Sequence, residues 1–144
     1  MGRPGQLIMS VGIKLGSITD EIGAPSFLYS FFSTVSANLE PEGWGSRFPV
    51  LMHELYAGEL PGSRADVALA ELDLIHRLLS ELPVSKVVWD YDDRSKIPPW
   101  GANIASTITD LGNYFVTSTG RELVPLLREV FEELKQSGGT ARFV

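Results

Sequence analysis

The chain has no cysteine and only two histidines in 144 residues. Without thiols there are no disulfides and no thiolate metal sites, so a secreted fold held by cross-links is not expected. A zinc site built on imidazoles needs convergent ligands, commonly four residues apart on one helix. His53 and His76 are 23 residues apart. Basic side chains are in the minority, 12 against 18 acids, for a formal net charge of −6. Nucleic-acid binding leaves a basic footprint, and the chain has none. No apolar run reaches the roughly 20 residues of a membrane span. Residues Met1–Gln6 hold no apolar signal core, and the expected location is the cytoplasm.

Familiar catalytic signatures are also missing. No Gly-x-Ser-x-Gly elbow occurs. "GIKLGS" (12–17) has two glycines but no Walker Lys-Ser/Thr pair, so these glycines are expected to serve close packing and a turn. No resident metal or cofactor is expected.

What the chain does have is ordinary globular composition, 44% hydrophobic and 21% charged. At this length one domain is expected, residues 9–144, after a flexible lead of residues 1–8 containing Pro4 and Gly5. Residues 7–15 alternate as a half-buried strand, with Met9, Val11, Ile13 and Leu15 on one face. Residues 16–23 read as a loop. A helix follows over 24–39, with Leu28, Phe31, Phe32, Val35 and Leu39 as its apolar stripe. A turn-rich loop (40–49) and a short helix (50–60) lead to a longer helix over 64–82. Ser63 is its expected cap, and Asp73–Arg77 an expected pair four residues apart.

Two further strands are expected at 84–91 and 113–117, with 102–112 ambiguous between helix and loop. Thr119 and Glu122 have capping-box spacing ahead of a last helix. Pro125 is expected to kink or delay its start, and Gly138-Gly139 to end it before a strand at 140–144. The fold class is therefore α+β: one two-layer domain, with a small mixed sheet of about four strands and helices mainly on one face.

The segment "KVVWDYDDRSKIPPWGAN" (86–103) concentrates candidate chemistry. Asp90, Asp92 and Asp93 end the second expected strand, where carboxylates can hold Mg²⁺ or act as an acid/base pair. Arg94 and Lys96 follow at once, and no glycine-rich phosphate cradle lies nearby, which favours a docking loop. Trp89 is expected in the core. Trp100 follows two prolines and Trp44 sits between two glycines. Rigid loop aromatics ringed by charge resemble interface hot spots, and they also serve as lids on a core.

Several strings together carry a resemblance. "VGIKLGSITDEIGAPSFLYSFFSTVSANLEPEGWGSRFPVLMHELYAGEL" (11–60), "KVVWDYDD", "PPWG" and "ITDLGNYFVTSTGREL" occur in this order. Over about residues 11–135 the chain resembles the immunity protein seventy family of bacterial polymorphic-toxin and contact-dependent growth inhibition systems. The resemblance implies a non-catalytic inhibitor that binds the C-terminal effector domain of a cognate secreted toxin. It supplies no toxin-contact residues.

From the residues themselves, the expected toxin-binding set is Asp90, Asp92, Asp93 and Trp100, joined by Glu42 and Trp44. The carboxylates would pair with toxin Lys or Arg, and the aromatics would anchor the contact. A nuclease with a basic cleft is the partner that an acidic inhibitor suits. Two alternatives remain: a small Mg²⁺-dependent enzyme using the three aspartates, and a small-ligand regulatory module with the Phe27–Phe32 cluster lining a pocket.

Overall fold

A computed structural model describes residues 10–144. The expected flexible lead and Met9 of the first strand lie outside the described residues.

Strand β1 (Val11–Leu15) and strand β2 (Ile18–Gly23) form a hairpin closed by Gly16-Ser17. Gly16 has φ 65°, which glycine adopts without a steric penalty. Gly12 lies so close to β2 that a Cβ there would sit 2.7 Å from the Asp20 carbonyl oxygen. The two glycines thus do what their sequence setting suggests, one packing and one turning.

Residues 18–23, read above as loop, are instead this second strand. Asp20 and Glu21 are poor strand signals, but β2 is a sheet edge, where charges face water and discourage unwanted pairing.

With strand β3 (Glu59–Pro61) and strand β4 (Thr140–Phe143), the four-stranded sheet runs β2-β1-β4-β3. All three pairings are antiparallel, so the sheet is not mixed. Lys14, Arg142 and Glu59 lie opposite one another in successive strands and make a polar outer row. Ile13, Leu60 and Ala141 are fully buried on the inner side. One wet and one covered face give the expected two-layer α+β arrangement.

Helices α1 (Pro25–Leu39), α2 (Ala65–Leu79) and α3 (Leu123–Ser137) build the other layer. Phe31, Val35, Leu72, Ile75, Leu79, Leu127, Phe131 and Leu134 are each 0% exposed. Every such side chain contributes about 1.5–3 kcal/mol by leaving water.

Asp73 does not pair with Arg77 along its own helix. It meets Arg128 of α3, while Asp66 of α2 meets Lys135 at 2.9 Å, so ion pairs staple α2 to α3. Neither helix has a side-chain cap: Ser63 is absorbed in a 3₁₀ turn (Gly62–Arg64), and Thr119 bonds Thr117 instead. Pro125 is the third residue of α3 and still in its first turn, where a missing N–H is harmless. Gly138, at φ 74°, ends the helix in the left-handed form.

The short helix is a π-helical turn (Val50–Leu55) whose first N–H groups, Val50 and Leu51, donate to the Glu71 carboxylate at 3.2 and 2.9 Å.

The two strands expected at 84–91 and 113–117 do not form. Val84–Lys86 is a 3₁₀ turn, and the chain then extends from Val87 (φ −62°, ψ 139°) without joining the sheet. Its partners are side chains of α1. Val88 N–H donates to Thr34 Oγ1 at 3.0 Å, and Val88 O accepts from Ser30 Oγ at 2.8 Å and Thr34 Oγ1 at 3.1 Å. Tyr91 N–H donates to Ser33 Oγ at 3.1 Å, and Asn38 Nδ2 donates to Lys86 O at 2.9 Å. An extended chain lying across a helix shows the same alternation as a strand, because its side chains still point alternately in and out. In 113–117 the one ladder contact among the described residues is the bridge Val116–Glu122.

Candidate functional site

The α1 hydroxyls seat residues 86–91 so that the acidic turn after them arrives beside Tyr29. The Tyr29 hydroxyl donates to Asp92 Oδ2 at 2.8 Å. Its ring stacks on Trp44, with centroids 6.0 Å apart and planes 30° apart, and on Tyr56 at 6.3 Å and 22°. Trp44 in turn meets Tyr91 edge-on at 5.1 Å and 74°. Tyr29, Trp44, Tyr91 and Asp92 line an open cleft of about 270 Å³.

Two expected site residues, Trp44 and Asp92, are therefore brought together from distant parts of the chain. Burial, the hydrogen bond to Asp92, and the negative charge of Asp92 and Asp90 push the Tyr29 hydroxyl up to about 12. At neutral pH it is a firm donor.

Trp44 is held by a buried carboxylate that composition does not reveal. Glu40 is 3% exposed. It accepts the N–H groups of Gly45 at 2.8 Å, Arg47 at 3.1 Å and Phe48 at 2.9 Å. Trp44 Nε1 donates to Met52 O at 3.3 Å. Glu42, two residues before the ring, is exposed.

The three aspartates divide by role. Asp90 Oδ1 accepts the N–H groups of Asp92 and Asp93 at 2.9 and 3.1 Å, and Lys96 Nζ lies 3.4 Å from Oδ2. Asp93 Oδ1 accepts the Ser95 hydroxyl at 2.6 Å and its N–H at 3.1 Å. The Ser95 bonds, hydroxyl first, hold the Asp93 carboxyl below its ordinary value. Asp90 and Asp93 fold the loop, while Asp92 faces the cleft. Arg94 sits over the Tyr91 ring at 5.0 Å and donates from Nε to Tyr91 O at 3.1 Å.

Trp100 is elsewhere. It packs edge-on against Trp89 at 5.3 Å, and its Nε1 donates to the Tyr114 hydroxyl at 2.8 Å. Together with Phe27, Ile104 and Ile108 it borders a separate recess of about 290 Å³. Trp89, expected in the core, is half-buried against it. Of the Phe27–Phe32 cluster that one alternative expects to line a pocket, Phe27 borders this recess, while Phe31 and Phe32 are 0% and 1% exposed in packed core.

A family model described as Immunity protein 70 matches residues 13–143, nearly the whole chain. The chain belongs to this family. No curated protein and no solved structure matches it.

In this Immunity protein 70 member, the cleft offers flat aromatic area, two tyrosine hydroxyls and one carboxylate. That chemistry suits a guanidinium or ammonium group, which rings attract through their faces and a carboxylate binds directly. Among the described residues, no three or more His, Asp or Glu side chains converge as metal ligands. None of the described helices is long and apolar enough to cross a membrane.

Sequence reasoning missed Tyr29, Tyr91 and Glu40. One signal was present: Ser30, Ser33, Thr34 and Asn38 interrupt an apolar helix on one side. Buried hydroxyls need partners, and a helix backbone already satisfies itself.

Proposed function

We infer that this chain neutralises a cognate secreted bacterial toxin by direct, non-catalytic binding to the toxin's effector domain, inside the cytoplasm. Residues 9–144 act as one domain in this reading. The observation that carries it is membership of the Immunity protein 70 family over residues 13–143. A toxin partner follows from that family.

The cleft of Tyr29, Trp44, Tyr91 and Asp92 is the contact surface proposed here, with Glu42 on its rim. Aromatic anchors next to a lone carboxylate favour a toxin face rich in Lys or Arg, as in a nuclease cleft. Asp90 and Asp93 act through the loop shape they maintain. Trp100 contributes from its own recess or stays a lid. An Mg²⁺ enzyme is the weaker reading. Asp90 and Asp93 direct their Oδ1 atoms at loop donors, and Lys96 lies beside Asp90.

The test is co-expression with the effector domain encoded beside this chain, followed by co-purification. Wild type should protect growth and co-purify. Asp92→Lys with Trp44→Ala should lose at least about 2 kcal/mol of binding beyond the loss of folding stability that thermal melts record for the same variant, as hot-spot removal does. Failure of wild type to bind or protect sinks the reading, as does protection that requires turnover of a substrate.

A further inference from the structure

A concavity larger than either recess described above lies away from the aromatic cleft. A groove of about 610 Å³ runs between the β1–β2 hairpin and α3. Leu15, Ile18 and Val130 form its apolar part, and Asp20, Glu129 and Glu133 bring three carboxylates with no lysine or arginine among the lining residues. Ile18 is 64% exposed, an unusual placement for a large aliphatic side chain next to a concavity.

Among the described residues the adjoining strand edge is open. Leu15 pairs with Ile18 and Ile13 with Asp20 across the hairpin. In a two-residue hairpin the closing pair exchanges both hydrogen bonds, and every second pair does the same. The N–H and C=O of Thr19 therefore point away from β1. Among the described residues no strand pairs with β2 on that side. Further along, Ile22 O is already met by Ser118 N–H at 2.9 Å. The free stretch is the part bordering the groove.

Building on the toxin-binding reading, we propose that this edge and groove form a second contact surface, which accepts an extended basic segment of the toxin's effector domain. The segment adds as a strand to β2 through Thr19, lays an apolar residue on Ile18 and Val130, and places Lys or Arg against Asp20, Glu129 and Glu133. Strand addition gives main-chain hydrogen bonds, and the carboxylates select for charge. Glu129 is already near Arg121 at 3.4 Å, but its side chain is 72% exposed, so that pair is weak and easily exchanged. A second copy of this chain is the poorer occupant. Antiparallel pairing of two β2 strands centred on Asp20 would set that carboxylate against its own copy, and like charges opposite each other repel.

The experiment uses the full chain and the effector domain encoded beside it, refolded after separation from the co-expressed complex. Glu129→Lys with Glu133→Lys should weaken binding at least about 30-fold, the scale for breaking close interfacial charge pairs, with a smaller loss at high salt. Thr19→Pro should weaken it comparably, and the Thr19 amide of wild type should become protected from hydrogen exchange in the complex. Thermal melts check folding. Should Thr19→Pro not fold, the charge reversal and the wild-type amide exchange decide.

Wild type that binds no toxin overturns the functional reading itself. Wild type that binds, with groove variants equally tight and Thr19 unprotected, overturns the groove alone. A wild-type dimer made monomeric by Thr19→Pro assigns the edge to a second copy and overturns it too.

Discussion

Replacing Glu40 with glutamine tests whether one buried carboxylate seats Trp44. In the native loop one oxygen accepts Gly45 N–H at 2.8 Å, and the other accepts Arg47 and Phe48 N–H at 3.1 and 2.9 Å. Glutamine has a single acceptor oxygen. Its better orientation keeps the two donors and turns its own NH₂ against the third. Losing one bond to a charged acceptor removes about 1.5–3 kcal/mol, and the remaining two weaken from charge-assisted to neutral. Burying an amide in place of a charge offsets part of this. The net expectation is about 2–3 kcal/mol, a large share of the roughly 5–15 kcal/mol that holds a domain together. At this chain length that corresponds to about 7–10 °C in Tm.

Urea and thermal melts followed by tryptophan fluorescence measure the loss directly. The exposed neighbour change, Glu42→Gln, is the control and should stay within about 0.5 kcal/mol of wild type. Toxin binding should fall further than stability predicts, because Trp44 loses its fixed position. If Glu40→Gln and Glu42→Gln melt together, the carboxylate does not hold the loop and the account of the Trp44 seat is wrong.

Two further outcomes follow from the same contacts. Thr34→Val keeps shape but strands the Val88 N–H, so it should lose about 1–3 kcal/mol in urea melts. Ser30→Ala should lose less, since Val88 O keeps its bond from Thr34; equal losses would contradict the assignment of partners. Tyr29 carries a hydroxyl raised to about 12, chiefly by burial and by its bond to Asp92. A raised folded value favours the neutral form, so the linked stability is fully present below the ordinary tyrosine value near 10 and is lost as pH rises through about 12. Wild type should lose stability across that window relative to Tyr29→Phe, and tyrosinate absorbance should show this ring ionising late. A Tyr29→Phe melt curve parallel to wild type across the window would refute the claim.

Much of the fold is legible along the chain. The stripes of Phe31 and Val35, of Leu72 and Ile75, and of Leu127 and Phe131 announce α1, α2 and α3, because helical periodicity reflects a single buried face. Gly138 marks a stop for the same local reason. By contrast, β2 is hidden by Asp20 and Glu21, whose charges belong to an edge. "KVVWDY" alternates like a strand yet lies across α1, since alternation reports an extended chain and says nothing about what pairs with it. The candidate site is legible only in part. Trp44 and Asp92 stand out as a loop aromatic and a loop acid, whereas Tyr29 looks like one more residue of an apolar helix, and Glu40 like one more acid in a turn.

What the amino-acid order alone determined, then, was the class of fold, its helices, and a shortlist of loop residues, all consequences of interactions within a few residues of one another. Only the tertiary structure decided which acids fold their own loop and which one faces outward. It also decided that helix hydroxyls replace a partner strand, through bonds spanning 54 to 58 residues. Such bonds depend on which surfaces pack together, and no local pattern encodes that choice.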